Sequence, residues 1–161
     1  MWRGRRLAAG DVLNCEIPGV VARSCAPLFR TGTVGAPPAE VRAIEAACRA
    51  SLDLLIDGLR PGASLTDLHR ASVANFARRG FALAHRSGYS VGVNYAPDWG
   101  EGDLLSIVEG VERRAAEGMV FHLVPGIYTP GRHAVVISET VAVGPAGAER
   151  IVDYPADIFS V

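Results

Sequence analysis

The sequence lacks the features that would send a chain to a membrane or to a polyanion. No apolar run approaches the roughly 20 residues that a membrane helix needs. The opening Met1-Trp2-Arg3-Gly4-Arg5-Arg6 is basic, but only Leu7-Ala8-Ala9 follows before Gly10-Asp11. That is too short for the apolar centre of a signal peptide. A surplus of one charge is missing as well: 16 Lys+Arg stand against 17 Asp+Glu, for a net charge of −1. Nothing here forms an electrostatic footprint for nucleic acid or for an anionic membrane. Cysteine is scarce. Cys15, Cys25 and Cys48 are odd in number and lack metal-type spacing, a pattern of buried thiols in a reducing cytoplasm. Ser24 and Ser87 have no base at a recognisable spacing, which leaves nucleophilic serine chemistry unsupported.

What is present is an ordinary globular balance. The 161 residues are 49% hydrophobic and 20% charged, enough for one domain that buries about 70% of its unfolded surface. Val12 to Ile17 reads as a strand that turns at Pro18-Gly19 into a second one at Val20 to Arg23. A helix starts after Pro37-Pro38, with Val41, Ile44, Cys48, Leu52, Leu55 and Leu59 at steps of three and four, and Arg60-Pro61-Gly62 ends it. Ser64 caps a second helix, with Asp67 three residues on, and that helix closes on Arg78-Arg79-Gly80. From residue 85 the pattern is strands and glycine turns. Val120 to Val124 is one strand, Val135 to Val143 a longer one, and Glu149 to Asp153 a last short pairing. Two helices among antiparallel strands give an α+β fold.

The candidates for chemistry are Glu16, His85, Tyr89, Asp98, Glu101, His122 and Glu139. His122 sits mid-strand between Phe121 and Leu123, so alternation gives it the same face as Val120 and Val124. A ring buried on a strand face needs a partner, and so it is either satisfied structurally or lines a pocket. Asp98-Trp99-Gly100-Glu101 reads first as a turn, and equally as an aromatic between two carboxylates at a pocket rim. His69, on the second helix, and His133, after Pro130-Gly131-Arg132, are expected to face solvent.

Four stretches, in order, carry a resemblance: "GDVLNCEIPGVVARSCAPLFRTGTVG", the helix end "GLRPGAS", "HRSGYSVGV", and "EGMVFHLVPGIY" with "VISETVAVG". Together they resemble the creatinase/aminopeptidase P family, whose pita-bread fold is a curved, mainly antiparallel sheet covered by helices. The peptidases of that family hold two metal ions with two Asp, one His and two Glu. Those ligand positions fall here at Glu16, Pro27, Tyr89, Val124 and Ser138. Pro and Val offer no side-chain ligand, and Tyr and Ser suit a dinuclear divalent site poorly. The resemblance therefore implies no metal and no other cofactor, and it is nearer to metal-free members such as ectoine hydrolase and creatinase.

On that resemblance the expected catalytic residues are His85, which falls where aminopeptidase P-like members keep a substrate-handling His, with His122 and Glu16. Tyr89, Asp98, Trp99, Glu101, Ser138 and Glu139 are expected to bind substrate, although strand alternation beside Ser138 sends Glu139 to the opposite face. The site is expected as one pocket around Glu16, His85, Tyr89, His122 and Ser138, with Val124 as an apolar wall. The implied activity is metal-independent hydrolysis of a C–N bond in a small amino-acid-like or dipeptide-like substrate. A catalytically inactive binding module is the alternative, and an Xaa-Pro metallopeptidase would need ligands that are lacking. The family's opening strand–helix repeat has no counterpart before the "GD" strand. The resemblance accordingly implies a homo-oligomer, or a partner chain that supplies the repeat.

Overall fold

The computed structural model describes residues 4–95, 98–102 and 104–161. Among them the chain forms ten strands and two α-helices: β1 (Val12–Val21), β2 (Ser24–Thr33), α1 (Ala39–Gly58), α2 (Leu65–Arg78), β3 (Gly88–Ser90), β4 (Ser106–Ile107), β5 (Val120–Leu123), β6 (Gly126–Thr129), β7 (His133–Val136), β8 (Glu139–Val143), β9 (Ala148–Arg150) and β10 (Phe159–Ser160). No helix among the described residues is long and apolar enough to cross a membrane.

The two helices form where the apolar stripe and the caps put them. Val41, Ile44, Cys48, Leu52, Leu55 and Leu59 are all buried, a continuous ridge along α1. Ser64 accepts the Asp67 N–H at 3.2 Å and caps α2. The helices are pinned together by a buried Ser51–Ser72 hydroxyl contact of 2.5 Å and by the Asn75 amide donating to the Ala47 carbonyl.

The strands form three sheets, ordered β1-β2-β10, β4-β3-β5-β8-β9 and β6-β7. Residues Phe121, Leu123, Val141 and Val143 of the five-stranded sheet join the core under the helices. Their neighbours on the other face, His122 and Thr140, lie directly opposite one another, and Tyr89 lies opposite His122 across the β3–β5 ladder. The long β1–β2 hairpin lies over that second face. Phe29, Tyr89, Val124 and Val136 form a small second core there.

The first turn is not at Pro18-Gly19. β1 runs straight through it, and the chain reverses at Ala22-Arg23, both with positive φ (47° and 67°). Pro18 is tolerated because it lies directly opposite Pro27. A pair without N–H groups fits a non-hydrogen-bonded position, where both nitrogens point away from the ladder. The stretch Val135 to Val143 is likewise two strands in different sheets, β7 and β8, with Ile137 and Ser138 at the break. The expected pairing at Glu149 to Asp153 covers Ala148–Arg150 only.

Three expectations about exposure change. Cys25 and Cys48 are buried, and burial pushes the Cys48 thiol up to about 12, but Cys15 is exposed because it lies on the outer face of β1. His69 is half-buried, since its Nδ1 meets the buried Ser87 hydroxyl at 2.9 Å. His133 opens β7 and is mostly covered, with 11% of its side chain exposed.

Candidate functional site

The site starts from a close approach of two strands. A Cβ on Gly88 would stand 2.7 Å from the His122 carbonyl oxygen and 3.2 Å from the Leu123 Cα. Only glycine lets β3 lie that tightly on β5. The next residue, Tyr89, is thereby brought edge-on to His122, with ring centroids 5.1 Å apart.

From there a chain of hydrogen bonds crosses the buried face. Tyr89 Oη meets His122 Nδ1 at 2.7 Å and Glu16 Oε1 at 3.4 Å, and it accepts the Trp99 indole N–H at 2.9 Å. His122 Nε2 meets Ser138 Oγ at 2.5 Å, and Ser138 Oγ accepts the Phe29 N–H at 2.7 Å. Counting donors fixes the direction. Among the described residues the Ser138 hydroxyl hydrogen has only His122 Nε2 to go to, so Ser138 donates to His122. The ring then carries its proton on Nδ1 and donates to Tyr89, and the Tyr89 hydroxyl donates to Glu16. In this arrangement every donor has an acceptor; the reverse tautomer leaves the Ser138 hydrogen unplaced.

Burial sets the charge states. His122 is fully enclosed, and burial, helped by the Arg30 charge, drives its pKa down to about 3. Its Nδ1 lies 3.8 Å from Glu16 Oε1, but a neutral ring makes this no ion pair. Burial likewise raises the Tyr89 phenol well above its ordinary value. The Glu16 carboxyl is raised by burial first and by the Glu101 charge second, against the pull of the Tyr89 hydrogen bond. Glu16 is the end of the chain that reaches solvent, with a quarter of its side chain exposed.

Around that end stand several charged and aromatic groups. The Arg86 guanidinium lies 5.1 Å from the Tyr89 ring centroid and bonds Glu101 at 3.3 Å and Ser106 Oγ at 3.1 Å. The phenol of Tyr128 is raised by burial and then by the charges of Glu16 and Glu101. Trp99, above Tyr89, also lines a cavity of about 290 Å³ with Ser90, Val91, Gly92 and Leu104.

Glu16, Tyr89, Trp99, His122 and Ser138 are therefore one connected cluster, with Val124 beside it in the second core. Three expected site residues stand apart. His85 is exposed in the loop before β3; its Nδ1 meets the Arg86 carbonyl at 2.9 Å and its ring lies 5.4 Å from that of Tyr128. It is not part of the chain, because the strand that carries Tyr89 inward begins only at Gly88. Asp98 is a turn former, accepting the N–H groups of Trp99 and Gly100 at 2.7 and 3.0 Å. Glu139 is buried on the other side, bound to Arg30 at 2.7 Å, as strand alternation next to Ser138 requires. Arg30, Phe29 and Arg86 were not among the candidates. The signal for Arg30 was a lone cation inside the β2 run "APLFRTGT"; a backbone N–H such as that of Phe29 leaves no signal in sequence.

The five positions where the resemblance puts metal ligands do not fit a two-ion centre. Only Glu16 offers a carboxylate, Pro27 and Val124 offer no donor, and the oxygens of Tyr89 and Ser138 are engaged in the chain. Among the described residues no group of three or more His, Cys, Asp and Glu side chains is arranged to hold an ion.

Solved structures share this architecture. The dipeptidase PepE from Mycobacterium ulcerans matches 99% of this chain with a TM-score of 0.86 at 29% identity. A recombinant prolidase from Thermococcus sibiricus matches 99% with a TM-score of 0.89 at 21% identity, a likeness of fold alone. The fold is the pita-bread α+β fold. The chain belongs to metallopeptidase family M24, whose model matches residues 2–145. Among curated proteins it is 31% identical to an ectoine hydrolase from Halomonas elongata over 98% of its own length. It spans 39% of the length of that relative and 42% of the M. ulcerans chain.

Proposed function

We propose that this chain carries the site of a metal-independent hydrolase of a C–N bond in a small amide, amidine or dipeptide-like molecule, with Glu16 as the proton-transfer group. The observation that carries the reading is the hydrogen-bonded chain Ser138–His122–Tyr89–Glu16. Three of its members, Glu16, Tyr89 and Ser138, stand where the resemblance puts metal ligands, with His122 joining them, and the chain opens to solvent at the Glu16 carboxyl group. Glu16 would accept a proton from the attacking water and return it to the leaving nitrogen. A carboxyl whose pKa is raised by burial holds a proton more readily, which suits the return step. Tyr89 and His122 are enclosed, and act through Glu16 rather than on the substrate. Trp99, Glu101, Tyr128 and His85 border the exposed end and would contact the substrate. The likeness to an ectoine hydrolase and to a dipeptidase supports a small substrate of this class.

Three free thiols suit a cytoplasmic setting. Association with a second copy or with another polypeptide belongs to the same reading, since Ile17, Val20 and Val21 stand exposed on an edge strand.

The test is turnover of a panel of small amides, cyclic amidines and Xaa-Pro dipeptides with excess chelator present. Turnover that persists in chelator and falls on the order of 10²-fold or more in Glu16→Gln is the expected result. Turnover abolished by chelator and restored by zinc or manganese would overturn it. A second reading, a non-catalytic binding module, is favoured by one observation: Ser138, His122 and Tyr89 spend their polar atoms on one another and on Glu16, which leaves the substrate Glu16 and the rim. Binding of panel members without turnover would establish that reading.

A further inference from the structure

Arg30 is the most heavily bonded side chain near the site, and no candidate role in hydrolysis uses it. It is 4% exposed and all five of its N–H groups are taken. Nη1 donates to the Phe29 carbonyl at 2.9 Å and to the Ser138 carbonyl at 2.5 Å. Nη2 donates to Glu139 Oε1 at 2.7 Å and to the Tyr154 carbonyl at 3.1 Å, and Nε to the Pro155 carbonyl at 2.8 Å. Four of the five acceptors are main-chain oxygens, so the planar fork fixes backbone rather than merely balancing a charge.

Two of those oxygens belong to the residues that start the chain to Glu16. Phe29 and Ser138 already hold each other twice: the Ser138 N–H donates to the Phe29 carbonyl at 3.1 Å, and the Phe29 N–H donates to Ser138 Oγ. That second bond fills one acceptor site of the hydroxyl and turns its hydrogen toward His122. Ser138 lies in the break between β7 and β8, where no strand ladder holds it. The register of this contact therefore needs another tether, and Arg30 Nη1 bridges both of its carbonyls.

We propose that Arg30 is a positioning residue whose guanidinium fork locks Phe29 against Ser138 and so sets the one-way direction of the chain from Ser138 through His122 and Tyr89 to Glu16. The same fork ties Tyr154 and Pro155 to the back of the site, which makes this C-terminal segment part of the site's support. Its charge also opposes protonation of His122. The role of this direction in catalysis rests on the reading of Glu16 as the working end; the direction itself does not.

The test reads the imidazole nitrogens of His122 by long-range proton–nitrogen NMR on the full 161-residue chain, with no substrate present. The wild type is expected to show one tautomer, with the proton on Nδ1. Arg30→Lys keeps the buried cation and its Glu139 partner but loses the fork, and is expected to lose the single-tautomer signature, with both nitrogens moving toward averaged shifts. Arg30→Gln combined with Glu139→Gln removes both charges together, and the same loss is expected. Glu45→Gln, at another buried carboxylate that holds the Ile158 N–H, is the control for destabilisation and should leave His122 unchanged. A wild-type ring protonated on Nε2 reverses the chain and overturns the proposal whether or not any variant folds. A folded Arg30→Lys or double variant with the wild-type signature overturns it too. Loss of turnover in the panel assay alone speaks to Glu16 and leaves this result standing.

Discussion

His122 shows how much a buried ring can demand of its surroundings. Its ordinary pKa is 6.5, and in the folded chain burial and then the Arg30 charge bring it to about 3. Between those values the unfolded chain takes up a proton that the folded chain refuses. The stability tied to the neutral ring is complete above about pH 6.5, falls as pH drops toward 3, and changes no further below that. The slope of this contribution is about 1.4 kcal/mol per pH unit in the steep part. Glu16 and Glu139, both raised mainly by burial, act in the opposite sense, since their contributions are present at acid pH and fade as pH rises past 4.5. A comparison with His122→Gln isolates the ring. Urea unfolding at several pH values should show the wild type losing ground to the variant from pH 6.5 downward. A gap that stays constant across that range would show that the ring is not held neutral.

Residue-level chemistry was legible here only in part. Tyr89 and His122 could be placed on one face from the resemblance and from strand alternation, and both are there. That they bond each other, and that Ser138 closes the far end, depends on strands β3, β5 and β8 meeting in register, which local sequence does not encode. His85 and Asp98 do not join the hydrogen-bonded chain: His85 precedes the strand and reaches the rim beside Tyr128, and Asp98 satisfies its own turn.

At the scale of elements, apolar stripes and caps located both helices, because a helix is specified by residues three and four apart. The strands were harder. Pro18-Gly19 has turn chemistry, yet a proline on an edge strand opposite another proline costs no ladder bond, so the hairpin extends to Ala22-Arg23. Val135 to Val143 reads as one run because both halves are apolar, and the break at Ser138 is made by contact with Phe29 in β2. The turn offers a direct check. Ala22 has φ 47° at the reversal of the hairpin. Asparagine tolerates that region better than alanine, and it leads the tight hairpin turns. Ala22→Asn should stabilise the chain by about 0.5 kcal/mol, read as a small rise in the urea midpoint with an unchanged slope. A lower midpoint would mean that the turn is not the left-handed one described.

The whole molecule poses one question that none of its parts answers: how a chain of metallopeptidase family M24 holds together the place where the family's peptidases bind metal. Two positively charged groups among the described residues lie near this place: Arg30 behind it and Arg86 at its rim. Among the described residues two carboxylates, Glu16 and Glu101, remain near the opening, and Glu101 is bonded to Arg86. A dinuclear centre needs several carboxylates to offset its charge, and binding to the folded state would show as added stability. With Glu16 alone at the ligand positions, neither follows. Purified chain should contain well under one zinc, manganese or cobalt per molecule by elemental analysis. Its melting temperature should stay the same, to within about a degree, with millimolar EDTA or with micromolar zinc or manganese, since a site filled at 100-fold its dissociation constant would add about 2.7 kcal/mol. Loss of stability in EDTA, reversed by one added metal, would mean that the hydrogen-bonded chain through His122 gives way to an ion and that Tyr89 and Ser138 are ligands after all.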